Sequence, residues 1–142
     1  MQTIGVGVVT DDAQFVIAPE QNNSNYAFGV KSVLVPNCTV TSDANVAMQD
    51  FRGKLNTEAI IAAQSITGGS LAVDYCTGYK FANGQTGYFP ACGEYQTCIS
   101  NLEIIQDLLS TIGASLLITD NTGSKNGYRS STQSAADRCW TA

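Results

Sequence analysis

Leu102, Ile105, Leu108, Leu109 and Ile112 recur at intervals of three and four residues, the spacing that lines apolar side chains along one face of an α-helix. Asn101 stands before the run and Gly113 after it, a short polar cap and a glycine stop, so the pattern predicts a helix over 102–112. A stripe of this kind serves core packing before it serves a partner. The start of the chain has the other period. Ile4-Gly5-Val6-Gly7-Val8-Val9 and Gln14-Phe15-Val16-Ile17-Ala18 flank the short polar stretch Thr10-Asp11-Asp12-Ala13, which reads as a hairpin opening a sheet. The chain thus carries both strand-forming and helix-forming segments, and the expected class is α+β: a small twisted antiparallel sheet with two or three helices packed on one side.

The intervening segments add detail. Residues 26–30 and 32–35 read as further extended pieces ending at Pro36. Asn56 or Thr57 is suited to cap a helix over 57–64, with Glu58 in its first turn and Ala59, Ile60, Ile61, Ala62 and Ala63 lying close on a sheet; Gly68-Gly69 ends it. For residues 71–76 periodicity leaves helix and strand both open. Pro90 forces Phe89 towards an extended backbone and sits where a helix over 91–100 begins. Residues 114–118 read as a buried strand, 119–127 as a polar loop, and 128–131 and 138–141 as the last strand-like pieces.

Composition restricts function. With 142 residues the chain has the size of one domain able to bury its own core. Seven basic residues against twelve acidic ones give a net charge of −5, and the basic residues are scattered, so nucleic acid is not an expected partner. No apolar run is long enough to enter a bilayer, and Met1 to Val9 lacks the basic start and length of a secretory leader; folding in a cytosol is expected. The five cysteines are odd in number and include no C-x-x-C, and histidine is absent, so free buried thiols are expected rather than a disulfide framework or a zinc site. Without histidine, a serine or cysteine nucleophile lacks its usual base. The polar loop at 120–127 has one carboxylate, too few for calcium, and Gly68-Gly69-Ser70 lacks the lysine of a phosphate loop. Neither metal nor cofactor is expected.

Three segments form a series. Asp50-Phe51-Arg52-Gly53-Lys54-Leu55-Asn56-Thr57-Glu58-Ala59-Ile60-Ile61 is followed by Gly87-Tyr88-Phe89-Pro90-Ala91-Cys92-Gly93-Glu94-Tyr95, then by Tyr128-Arg129-Ser130-Ser131-Thr132 and Trp140. The series resembles the Lcl C-terminal domain family (DUF1566), whose pattern runs D-x-x-G-K-x-N-T, W-x-L-P-S-x-x-E-L, Y-W-S-S-T and a closing tryptophan. The resemblance covers the chain as one domain, residues 1–142, and implies a fold like that of C-type lectins and formylglycine-generating enzymes. It also favours helix for residues 71–76. It implies a display or adhesion module and brings no chemistry: the calcium and sugar signatures of many C-type lectins are absent, and of the late cysteine pair of the formylglycine-generating relatives only Cys139 has a counterpart.

In such folds late loops carry recognition, which makes Tyr79, Asn121, Lys125, Asn126, Tyr128 and Arg129 the candidate binding surface, with Tyr88 and Trp140 assigned to packing. Arg129 stands where the family has tryptophan, which implies a solvent-facing or interfacial position, and Gly87 replaces another tryptophan. The family adds a strand after its last tryptophan; here the sequence stops at Ala142, so a neighbouring subunit is expected to cover the sheet edge. Similar domains occur in gut Bacteroidetes and their phages. The expectation is a phage virion protein of fibre, tail or capsid surface, assembled in the host cytoplasm, self-associating or joined to other virion subunits, and displaying loops towards a host glycan or protein. A bacterial cell-surface adhesin and an enzyme of formylglycine-generating type are the alternatives.

Overall fold

The structure, a computed structural model, describes residues 3–20, 26–117 and 128–141. In chain order these form β1 (Val6–Val9), β2 (Gln14–Ile17), α1 (Ala44–Ala47), α2 (Gly53–Ala62), α3 (Gln64–Thr67), α4 (Leu71–Gly78), α5 (Cys92–Ser100), α6 (Leu102–Thr111), β3 (Arg129–Ala135) and β4 (Arg138–Thr141). The class is α+β. The strands form two separate antiparallel pairs, β1 with β2 and β3 with β4, instead of one sheet, and the described helices number six instead of two or three.

The first pair is the expected hairpin. Thr10 closes its turn, with its hydroxyl accepting from Ala13 N at 3.0 Å and its own N–H donating to Ala13 O at 2.8 Å. The register sets Val6 opposite Ile17 and Val8 opposite Phe15, so these four side chains share one face. That face is covered by Ile105 and Leu109 of α6, making a small core with Cys98, Ala114 and Leu117 at its margin. A lone two-stranded hairpin is marginal in water, and α6 supplies the layer it lacks.

The main core gathers Phe28, Val30, Val35, Ala59, Ile60, Ala63, Ala72, Val73 and Phe89 from loops and from α2 and α4. Residues 26–30 and 32–35, expected to be extended, supply three of these side chains without forming strands. Lys31 and Ser32 turn the chain at φ 47° and 57°, and Gln133 takes the place of a strand partner: its amide oxygen accepts from Val35 N at 3.0 Å and its amide nitrogen donates to Val33 O at 2.7 Å. The far side of β3 is met by residues 39–41 through a parallel bridge at Val40, and among the described residues the second sheet has two strands.

Other expectations need correcting. The second helix begins at Gly53, not at residue 57, and Asn56 and Thr57 lie buried inside its first turns rather than capping it. Asn101 occupies the position before α6, but its side chain turns back to donate to Thr97 O at 2.9 Å. Residues 114–117 form no strand. Gln106 pairs both ways with the backbone of Leu117, accepting from N at 2.8 Å and donating to O at 3.0 Å, and Leu116 is half exposed; Ile118 lies outside the described residues. Residues 71–76 are helical, with Ser70 capping Val73 N, and Asp43 caps the unforeseen α1. The two carboxyl-terminal pieces pair as β3 and β4, with bulges on either side of Gln133. The α6 stripe is narrower than the sequence implies: Ile105 and Leu109 are buried, whereas Leu108 and Ile112 are not.

Candidate functional site

The three motif segments meet at one buried polar node. The Asp50 carboxylate accepts from Arg52 N at 3.0 Å through one oxygen, and from Asn56 Nδ2 at 2.9 Å and Thr132 Oγ1 at 2.7 Å through the other. Asn56 also donates towards Ser131 Oγ at 3.3 Å, while its oxygen accepts from Thr39 N at 3.0 Å. Thr132 Oγ1 in turn accepts from Cys92 N at 2.9 Å, the first residue of α5. Asp50, Asn56, Ser131 and Thr132 are all buried.

A second carboxylate adjoins it. Glu94 Oε1 accepts from Gly53 N at 3.0 Å and Ala91 N at 2.9 Å, and Oε2 accepts a short bond from the Tyr88 hydroxyl. Ala91 has no side-chain oxygen to return the bond, so only the acidic half of a capping box is present. Thr57 bridges the same region, its hydroxyl donating to Gly53 O at 2.7 Å and accepting from Phe89 N at 2.9 Å. Among the described residues no buried side-chain nitrogen or oxygen lacks a partner. The node is a lock between α2, α5 and β3, with every polar atom committed to holding it closed.

Burial raises the Glu94 carboxyl above its ordinary value, with the bonds from Tyr88, Ala91 and Gly53 pulling the other way. A group with a raised folded pKa stabilises the fold fully below its unfolded pKa and loses that contribution as pH rises through the folded pKa. Glu94→Gln keeps an acceptor for Gly53 and Ala91 and an amide for the Tyr88 oxygen. The variant is expected within about 1 kcal/mol of the parent, and its stability relative to the parent should increase from pH 4.5 towards neutrality, as measured by urea unfolding. A pH-independent difference would remove Glu94 as the titrating group.

The five cysteines carry free thiols. Burial pushes Cys38 up to about 12, and Cys76 and Cys98 up to about 11. It also raises Cys92 and Cys139, the latter restrained by Arg129. Thiols held protonated are poor nucleophiles and poor metal ligands. Among the described residues no group of three or more carboxylates and thiols converges to hold a metal, and no helix is long and apolar enough to cross a membrane.

Of the candidate surface, Asn121, Lys125 and Asn126 lie outside the described residues. Tyr79 closes α4, half-buried and edge-on to Phe81, with ring centroids 5.1 Å apart. Tyr128 stacks on Tyr95 of α5 at 5.3 Å and 18°. Arg129 opens β3, half-buried, and its positive charge holds the Cys139 thiol down against the rise that burial causes. Trp140 is half-buried and donates to Thr41 O at 2.8 Å, tying β4 to the chain before α1. A group not foreseen from the sequence surrounds Tyr79. Tyr75, one helical turn earlier, stacks on Tyr26 at 5.2 Å; the four-residue spacing of Tyr75 and Tyr79 is a signal only once this segment is known to be a helix.

Compared with known proteins, the chain matches no family model, no curated protein and no solved structure.

Proposed function

We propose that the chain is a non-enzymatic structural and binding module, C-type-lectin-like in fold, that assembles with copies of itself as a component of a phage virion. The motif series, its similarity to the Lcl C-terminal domain family and the convergence of its three segments on one node support the fold reading. The virion setting rests on that resemblance. Assembly rests on an observation in α6: Ile104, Leu108 and Ile112 are 64%, 46% and 36% exposed, at four-residue spacing, beside the buried Ile105 and Leu109.

A ridge at four-residue spacing can interdigitate with its own copy, the commonest way for two helices to pack. A two-fold axis at Leu108 would set Leu108 against its counterpart and Ile104 against Ile112 of the second copy. The three side chains offer roughly 300 Å² of apolar surface, enough for the centre of an interface in which each partner buries about 800 Å². The edge of β4 is a weaker candidate, because it is four residues long, bulged and carries the exposed Arg138, all features that discourage strand addition. Sedimentation velocity at micromolar concentration should show a dimer or larger species, strengthened by salt because Glu103 and Asp107 flank the ridge. Leu108→Glu should return it to monomer without unfolding it, since Leu108 lies outside the core. A monodisperse monomer for the parent protein would overturn the proposal.

A further inference from the structure

Between α4 and Pro90 the chain makes a small exposed hairpin. Gly87 N donates to Tyr79 O at 3.0 Å and Phe81 N to Gln85 O at 2.8 Å, and Lys80 and Thr86 face each other as an antiparallel bridge. Ala82-Asn83-Gly84 is its loop, closed by Gly84 N donating to Phe81 O at 2.8 Å with Gly84 at φ 84°, the left-handed glycine that three-residue hairpin loops use. Residues 82–86 are all exposed, and among the described residues, chain neighbours apart, no atom stands within 4 Å of where a Gly84 Cβ would lie. The Asn83 side chain is folded back on the loop: Oδ1 accepts from Gln85 N at 3.1 Å and Nδ2 donates to Gln85 Oε1 at 3.2 Å.

This arrangement brings a nucleophile and an electrophile of the chain together. Oδ1 reaches Gln85 N only with the carboxamide lying over the peptide that follows Asn83, so Cγ is beside Gly84 N, the atom that closes a five-membered ring with it. The bond from Gln85 N polarises the carbonyl and faces the oxyanion that attack would create there, as a backbone donor does in acyl transfer. Gly84 has no side chain to shield its nitrogen, and solvent reaches the exposed loop. One bond opposes the reaction: Gly84 N–H donates to Phe81 O and must let go before its proton can leave. A lone backbone bond in an exposed loop slows such a step several-fold and does not block it.

We propose that Asn83 is a site of intramolecular deamidation, gated by opening of the turn between Phe81 and Gly84. Base takes the Gly84 N–H proton, the nitrogen attacks Asn83 Cγ, and the C–N bond to the side-chain amide breaks with loss of ammonia, leaving a succinimide. Water then opens either carbonyl: one product is aspartate, the other isoaspartate, in which the main chain runs through the former side chain. Either product makes the net charge of −5 one unit more negative. Isoaspartate also lengthens the loop by one main-chain atom, which breaks the register that pairs Lys80 with Thr86. The site lies on a different element from the α6 ridge, so either can fail without the other.

The test is peptide mapping by mass spectrometry of the full chain incubated at mildly alkaline pH, folded and in guanidinium chloride. Trypsin cuts after Lys80 and Lys125, so Asn83 is read near the start of one peptide and located by fragmentation. In the folded chain Asn83 should convert to aspartate and isoaspartate about three- to tenfold more slowly than in denaturant, the range set by breaking one exposed hydrogen bond. Hydrogen exchange at Gly84 N should show protection of the same order, since both processes need the turn to open. Asn45 and Asn101 are also exposed but precede Val46 and Leu102, whose side chains shield the attacking nitrogen, and should convert at least about tenfold more slowly than Asn83. Three results would overturn the proposal: no acid at Asn83 in the folded chain once the denatured chain has converted, a folded rate equal to the denatured one, or conversion of Asn45 or Asn101 as fast as Asn83.

Discussion

Asn56→Ala is expected to destabilise the protein by about 3–5 kcal/mol, a large part of the stability of a domain this size. Asn56 is fully buried, and its amide joins Asp50, Ser131 and Thr39 at once. Removing it leaves the buried Asp50 carboxylate without one of its donors and Thr39 N without its acceptor, while opening a cavity that the rigid first turns of α2 cannot close. Asn56→Asp keeps the shape and should do no better, because an oxygen then faces the Asp50 oxygen 2.9 Å away. Ser131→Ala gives up only the longer 3.3 Å bond and should cost about 1 kcal/mol. Urea unfolding of the three variants checks the order. If Asn56→Ala were as mild as Ser131→Ala, the node would be a set of independent bonds and not a lock. The double variant Asp50→Ala with Asn56→Ala should cost clearly less than the sum of the single changes, because the two residues share a bond.

How much of this was legible depends on the range of the interaction. The β1 and β2 hairpin, the extent of α6, its glycine stop and the strand-like character of residues 128–131 and 138–141 follow from periods and turn residues, all contained within short windows. Asn56 and Thr57 misled because the residue types that cap helices also make long-range bonds. Thr57 reaches Phe89 and Asp50 reaches Thr132, 32 and 82 residues away, and no local pattern separates that use from capping. Residues 114–117 have the apolar content of a strand, but a strand also needs a partner, and here the side chain of Gln106 occupies the backbone groups instead. At the surface, Tyr79 was visible as a single residue. Its neighbours Tyr26 and Tyr75 were not, since one comes from a distant loop and the other from a segment whose period was undecided.

Gly93→Ala, expected to cost about 3 kcal/mol, tests how the node is brought together. Within a helix alanine is ordinarily favoured over glycine by about 1 kcal/mol, so intrinsic propensity predicts the opposite sign. Gly93 lies in the first turn of α5, where its N–H donates to Asp50 O at 2.9 Å. A Cβ there would stand 2.6 Å from Asp50 O and 2.9 Å from Met48 O. Both are backbone atoms, and Asp50 is held by the node, so neither yields as a flexible side chain would. Gly53 is constrained from the other side: a Cβ would meet Glu94 Oε1, stand 2.7 Å from Tyr88 Cε2 and lie 2.8 Å from Ala91 N. The two glycines allow the first turns of α2 and α5 to approach closely enough for Asp50 and Glu94 to collect donors from both. Gly78→Ala is the control, because it also lies in a helix, has no positive φ and meets nothing within 4 Å. It should be neutral or stabilising by up to about 1 kcal/mol. Thermal and urea unfolding of the two variants decide between propensity and contact: if Gly93→Ala stabilises as Gly78→Ala does, the close approach is not what positions the two carboxylates.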